Sequence, residues 1–144
     1  GAHHLAGAAC CVVDVGTAAT LDAVDASGQH LGGFIVPGPQ LMVRSLHAGT
    51  NNLAAHTAAS PVGGTQLFAD NTRDAIERGC RVALAAFVDR TCAELARQTH
   101  SAPRLYCTGG AVDAALPYVL TTYERVPDLV LRGLARIVDA ALER

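Results

Sequence analysis

Lysine is absent from the 144 residues; all eleven basic side chains are arginine. A phosphate-binding loop of the GxxxxGK[ST] type needs a lysine to reach the β/γ-phosphates, so that mode of nucleotide binding is excluded. Tryptophan is also absent, aromatics make up 4% of the chain and there is one methionine, so the core must be built from Val, Leu, Ile and Ala. No apolar run reaches the roughly 18 residues that read as a membrane-spanning helix. The opening Gly1-Ala-His-His-Leu-Ala-Gly7 lacks the basic and apolar regions of a signal peptide. Charge is not blocked either: a net −2 spread evenly gives no electrostatic reason to expect nucleic acid or an anionic membrane as partner. The five cysteines (Cys10, Cys11, Cys80, Cys92, Cys107) form no CxxC and no metal-ligand spacing. They read as reduced thiols of a cytosolic protein, with Cys80 and Cys92 too far apart on one helix to be bridged.

What is present centres on Cys11-Val-Val-Asp-Val-Gly-Thr-Ala-Ala-Thr-Leu-Asp22. A short apolar strand ends in Asp14, turns at Gly16-Thr17 and enters a second strand. A carboxylate at the end of a buried strand is costly unless paired, hydrogen-bonded or bound to a cation. With Gly16 allowing close approach and the Thr17 and Thr20 hydroxyls beside it, the stretch suits a phosphate and its counter-cation. The same residues could simply cap a β-turn.

Along the chain, residues 3–9 read as the end of a helix closed near Gly7. Adjacent His3 and His4 face different directions and read as surface histidines. Cys10 to Val15, Thr20 to Asp25 and Gln29 to Val36 form an antiparallel meander, with a turn at Ser27-Gly28. Gly32-Gly33 inside the third strand predicts a bulge or a close backbone approach. Pro37-Gly38-Pro39 opens a helix running to about Gly49. Residues 50–70, with Gly63-Gly64 and His56, read as a long irregular lid or interface arm. A helix of some 25 residues then runs from Thr72 to Thr99, capped by Asp70, Asn71 or Thr72, with Ala75, Ile76, Val82, Leu84, Ala85, Val88 and Leu95 apolar. Arg104 to Cys107 is a strand, and Ala111 to about Val119 a helix after Thr108-Gly109-Gly110. Thr121 to Val126 is a weaker strand. A final helix follows Pro127, with Leu129, Leu131, Leu134, Ile137, Val138 and Ala141 on its buried side. The order β-β-β-α-α-β-α-β-α predicts an α/β domain with a mixed sheet. By fold analogy it is the half-unit of the actin-like, ribonuclease-H-like ATPases.

The run Asp14 to Asp22 resembles the second-domain signature of type III pantothenate kinases and the related Bvg accessory factor proteins. Five further pieces match in the same order: Gly32-Gly-Phe-Ile-Val-Pro-Gly38; Leu41-Met42 with Ser45-Leu46; Asn71-Thr72 with Ala75-Ile76 and Gly79; Thr108-Gly-Gly110; and Pro127-Asp-Leu-Val-Leu-Arg-Gly-Leu134. The resemblance runs from about residue 6 to residue 142. It implies a cytoplasmic, homodimeric actin-like kinase that phosphorylates pantothenate with ATP, the first step of coenzyme A synthesis. The implied cofactors are Mg2+ and a monovalent cation, K+ or NH4+. By match, Asp14 holds the monovalent cation, Gly16 and Thr17 contact ATP, and Thr108, Gly109 and Gly110 lie along the nucleotide. Thr72, with Asn71, meets pantothenate near the dimer interface, and Arg44 belongs to that interface or pocket.

The resemblance also implies something outside these residues. The family's Asp-x-Gly-Asn-Thr turn and Gly-x-Asp-Arg segment, whose aspartate is the expected general base, would lie upstream of Gly1. Residues 1–9 are then expected to be the tail of a helix from an N-terminal domain, and residues 10–144 the C-terminal domain. No catalytic residue is expected in this chain, which alone should be inert. A departure is Ala69, where the family usually has Gly. Two alternatives stand beside the kinase: a non-catalytic accessory protein that keeps the fold, and a sugar or acetate kinase of the same superfamily.

Overall fold

The structure, a computed structural model, describes residues 1–49 and 67–142. The predicted loop largely falls outside the described residues, including His56 and Gly63-Gly64.

Among the described residues five strands form one open mixed sheet in the order β3-β2-β1-β4-β5. The strands are β1 (Cys10–Val15), β2 (Ala18–Val24), β3 (His30–Pro37), β4 (Arg104–Thr108) and β5 (Tyr123–Arg125). The first three make the expected antiparallel meander, while β4 runs parallel to β1 and β5 parallel to β4. Among the described residues four α-helices flank it: α1 (Ala2–Ala6), α2 (Pro39–Gly49), α3 (Thr72–Thr99) and α4 (Leu129–Leu142). The chain is therefore an α/β fold with a mixed, open sheet.

Local chemistry accounts for most boundaries. α1 closes at Gly7, whose φ of 57° suits a glycine. The turn after β2 is held by Asp25, whose carboxylate accepts from the Ser27 N–H, the Ser27 hydroxyl and the Gln29 N–H at 2.7–2.9 Å. The glycine pair in β3 does both things expected of it. The β2–β3 register shifts at Ala23/Val24, opposite Gly32, and a methyl at Gly33 would lie 2.7 Å from an Asp22 carboxylate oxygen. Of the three possible caps for α3 the structure selects Asn71, which accepts from the Asp74 N–H at 3.0 Å.

Strand alternation divides the sheet into two faces. On one, Cys11, Val13, Val15, Leu21, Leu105 and Cys107 pack against Leu84, Val88, Cys92 and Leu95 of α3. On the other, a smaller cluster of Cys10, Tyr106, Val126 and Leu129 receives Val12, Val24 and two alanines of α1. All five cysteines are buried and unbridged, as the sequence suggested. The Cys11 thiol is raised well above its usual range by its hydrogen bond with Cys92 and by burial, and burial pushes Cys107 up to about 12. Cys11 and Cys107 are packing groups, not nucleophiles.

Four expectations are corrected. Residues 111–119 form two 3-10 turns, Val112–Ala114 and Leu116–Tyr118, and no α-helix, because Pro117 has no N–H to continue one. The weaker strand shrinks to Tyr123–Arg125, because the Leu120 and Thr121 N–H groups donate to Asp89 on α3 and leave the sheet ladder. In α3, Ala75 is exposed and Ile76 and Val82 are only half-buried; the buried stripe starts at Arg78 and Cys80. The largest discrepancy is α4, where only Leu129 is buried and Leu131, Leu134, Ile137, Val138 and Ala141 are all exposed.

Candidate functional site

The site grows from the last turn of β1. Asp14 is paired in register with Thr20 on β2 and with Thr108 on β4. Alternation puts all three side chains on the same face, next to the apolar cluster under α4. Asp14 is half-buried and, among the described residues, nothing donates a hydrogen bond to its carboxylate. Thr108 is buried and its hydroxyl donates to the Pro127 carbonyl at 3.4 Å. A strand-end carboxylate between two threonines, with no cation among the described residues to pair it, is suited to attract a small cation.

Three loops converge on that strand end. The Gly16 N–H donates to Ala18 O at 2.9 Å, closing the β1–β2 turn. The Gly38 N–H, between β3 and α2, donates to Thr17 O at 2.8 Å, and the Ala111 N–H donates to Val15 O at 2.9 Å. Gly109, at φ 96°, lies so close to Asp14 and Val15 that a side chain there would strike both. Thr17 itself is exposed, and so is Gly110. Thus Asp14, Gly16, Thr17, Thr108, Gly109 and Gly110, separated by nearly a hundred residues in sequence, form one rim.

Asp22, at the end of the same signature run, is engaged elsewhere. Its Oδ1 lies 2.9 Å from His30 Nε2 across the β2–β3 gap that Gly33 leaves open. His30 was not singled out from sequence; the absent side chain at Gly33 was its available signal. His3 and His4 are separately engaged, His3 with the Ala26 carbonyl at 3.1 Å and His4 with Arg136.

The substrate-side residues divide. Thr72 opens α3 and lines an apolar cavity of about 530 Å³ with Met42, Ser45, Leu46, Ile76 and Gly79. Arg44 lines a different cavity of about 420 Å³ with Gln40, Glu77 and Arg81, on the other side of α2. Arg81 there is ion-paired with Glu77 at 2.8 Å, and sequence reading passed over both because their spacing also suits an ordinary helix surface. Asn71 is committed to its cap and donates to Asp70 Oδ1 at 3.1 Å, so it holds the start of α3 in place. Ala69 lies half-buried in an apolar cavity beside Ala75, Gly79 and Val82, and the Arg78 guanidinium tethers the adjacent Phe68 carbonyl at 2.7 Å.

The donor chemistry distinguishes two kinds of ion. Among the described residues no group of three or more His, Cys, Asp or Glu side chains could hold a metal. One carboxylate with hydroxyl and carbonyl oxygens fits a weakly bound monovalent cation. A Mg2+ ion here would need phosphate oxygens and water to complete its octahedron. No helix among the described residues is long and apolar enough to cross a membrane.

Comparison with known proteins gives the same direction. The type III pantothenate kinase family model matches residues 1–94. The chain is 40% identical over 129 residues to the type III pantothenate kinase of Nitrosococcus oceani, covering 90% of this chain and 47% of that protein. It is 43% identical over 138 residues to that of Pseudomonas savastanoi pv. phaseolicola, covering 94% of this chain and 54% of that one. It spans about half the length of the curated relatives it matches. Among solved structures it is similar to a conserved Baf family protein of Campylobacter jejuni, named as a candidate transcriptional activator. That match has a TM-score of 0.58 at 26% identity and covers 94% of this chain and 60% of that one. With the family model matching well over half of its residues, the chain belongs to the type III pantothenate kinase family.

Proposed function

We propose that this chain supplies one wall of an ATP-dependent pantothenate kinase cleft, in a cytoplasmic protein that makes 4'-phosphopantothenate for coenzyme A synthesis. The observation that carries the reading is the rim around Asp14, where a lone strand-end carboxylate meets three glycine-containing loops. The finer fold assignment is an actin-like, ribonuclease-H-like half. The β3-β2-β1-β4-β5 order, antiparallel on one side of β1 and parallel on the other, supports it. Residues 10–144 are then the C-terminal domain and residues 1–9 the end of a connecting helix.

In this reading Asp14 binds K+ or NH4+, which lowers the charge repulsion felt by incoming phosphates. Gly16, Thr17, Gly109 and Gly110 hold the nucleotide, with Thr108 supporting Asp14's strand. Mg2+, when bound, neutralises the phosphates, and phosphoryl transfer is otherwise a matter of alignment. Thr72 meets pantothenate, Asn71 fixes Thr72 in place, and Arg44 lines the neighbouring cavity toward a homodimer partner. The general base and the opposite phosphate-binding turn come from the family's N-terminal domain.

The test is turnover by the polypeptide as the cell makes it, with ATP, Mg2+ and pantothenate, with and without K+. The expected result is K+-stimulated phosphorylation of pantothenate that falls at least tenfold in Asp14→Asn, while the isolated 144-residue chain is inert. Acceptance of a hexose or acetate in place of pantothenate would sink the reading. The name of the Campylobacter jejuni relative favours a second one, a non-catalytic accessory protein. Ligand binding with no turnover under any cation would establish it.

A further inference from the structure

The buried stripe of α3 opens on a charge. Arg78 is 6% exposed, yet it belongs to the stripe that continues with Cys80, Leu84 and Val88. Taking a guanidinium out of water is costly, and a hydrophobic side chain of similar volume is often as stable or more so in such a place. The side chains that share its cavity of about 340 Å³, Ala69, Ala75 and Val82 among them, are apolar and offer no hydrogen bond. What the guanidinium holds lies on either side of the start of α3. Its Nη1 donates to the Phe68 carbonyl at 2.7 Å, and its Nη2 lies 3.9 Å from the Asp74 carboxylate, one turn back on the same helix. A planar fork serves two such partners at once, which the point charge of a lysine does not.

The segment it holds has few other anchors. Residues 67–71 lie outside helix and strand. Leu67 and Phe68 are 55% and 85% exposed, and Ala69 is only half-buried. Asn71 caps α3 by accepting from the Asp74 N–H at 3.0 Å, which fixes the chain from residue 71 onward. Among the described residues no backbone group of residues 67–70 bonds to another backbone group, so the Phe68 carbonyl is where this stretch is tied down. Asp74 serves both contacts, its N–H toward Asn71 and its carboxylate toward Arg78, so that cap and tether form one network. The exposed Thr72 stands between them in the chain. We propose that Arg78 is a positioning residue for the substrate side of the cleft: by holding the Phe68 carbonyl it fixes residues 67–71 against the first turn of α3, and so sets where the Thr72 hydroxyl meets pantothenate. The substrate named here rests on the kinase reading; the tether does not. An apolar side chain at this position would fill the cavity and leave the segment free to swing.

The experiment compares Arg78→Met with the parent in the polypeptide as the cell makes it. Methionine fills the cavity without a donor, so the thermal midpoint should move by less than about 4 °C. The Asp74 and Ala75 amides, both bonded to Asn71, should exchange with solvent at least fivefold faster, while the amides of Leu84 and Val88 keep the parent's rate. In turnover, the KM for pantothenate should rise at least fivefold with kcat and the KM for ATP within twofold, and Arg78→Lys should recover at least half of that rise. Unchanged exchange at Asp74 and Ala75 in Arg78→Met would overturn the proposal. So would equal rises in the KM for pantothenate and for ATP, which is what a merely structural residue gives, or a much larger fall in the thermal midpoint. A parent that phosphorylates no pantothenate would sink the kinase reading alone, and the exchange rates would then decide whether Arg78 holds the segment.

Discussion

The two faces of the sheet are made by the same five strands and have opposite fates. On the α3 face, every inward position of β1 is Cys or Val, and Leu84, Val88, Cys92 and Leu95 close over them. On the other face, β1 contributes Cys10, Val12 and then Asp14, so the apolar row stops one residue pair short of the strand end. The sealed face provides the stability, and the open face is where chemistry can be placed without disturbing it. A binding rim can therefore be polar and unpaired because the opposite side of the same strands is dry and close-packed.

The comparison can be broken or sharpened by substitution. The largest effect is expected on the sealed face: Leu84→Ala, at a side chain 2% exposed, should cost about 2–5 kcal/mol in denaturant unfolding. On the open face, Asp14→Asn should leave that unfolding curve within about 0.5 kcal/mol of the parent while reducing the cation response described above. A loss of stability at Asp14 comparable to that at Leu84 would mean that the two faces are not separate in function. An intermediate effect is expected where α3 begins: Asn71→Ala removes the cap and should cost about 1 kcal/mol. Asn71→Asp should restore most of it, and a failure to do so would point to a role beyond capping.

The smallest effect belongs to the outer surface of α3. Glu94 is held at about 2, below its ordinary 4.5, by hydrogen bonds from Arg97 and then Gln98, with Arg90 adding a weaker attraction. Because the folded value is the lower one, its contribution is complete above about pH 4.5 and disappears as pH falls toward 2. The stability difference between the parent and Glu94→Gln should shrink over that window. A difference independent of pH would show that the Glu94–Arg97 pair contributes nothing through charge. Exposure and salt keep any such contribution small.

Much of the fold was legible in residue order. The meander followed from three β-rich runs divided by Gly-Thr and Ser-Gly turns, and α3 from an Asn-Thr start and a long apolar period. The glycine pair of β3 was read correctly because a missing side chain has few structural uses inside a strand. Elsewhere a local signal was overruled. Residues 111–119 carry helix-forming alanines, yet Pro117 and the tether of Leu120 to Asp89 leave only 3-10 turns. At α4 the period was read correctly and its burial was not, because periodicity says that a stripe exists without saying what covers it.

For the site, the sequence by itself determined the chemistry of each rim segment: a strand-end aspartate, a Gly-Thr turn, a Thr-Gly-Gly turn and no lysine to serve a P-loop. These depend on residue type and on neighbours a few positions away, which a linear reading can see. Only the tertiary structure decided which segments meet. Strand pairing puts Thr20 and Thr108 on either side of Asp14, and hydrogen bonds from Gly38 and Ala111 draw two distant loops onto the same turn. It also separated Arg44 from Thr72 into different cavities, since α2 passes between them. Proximity of this kind comes from sheet order and helix packing, which are properties of the whole chain and of no single stretch within it.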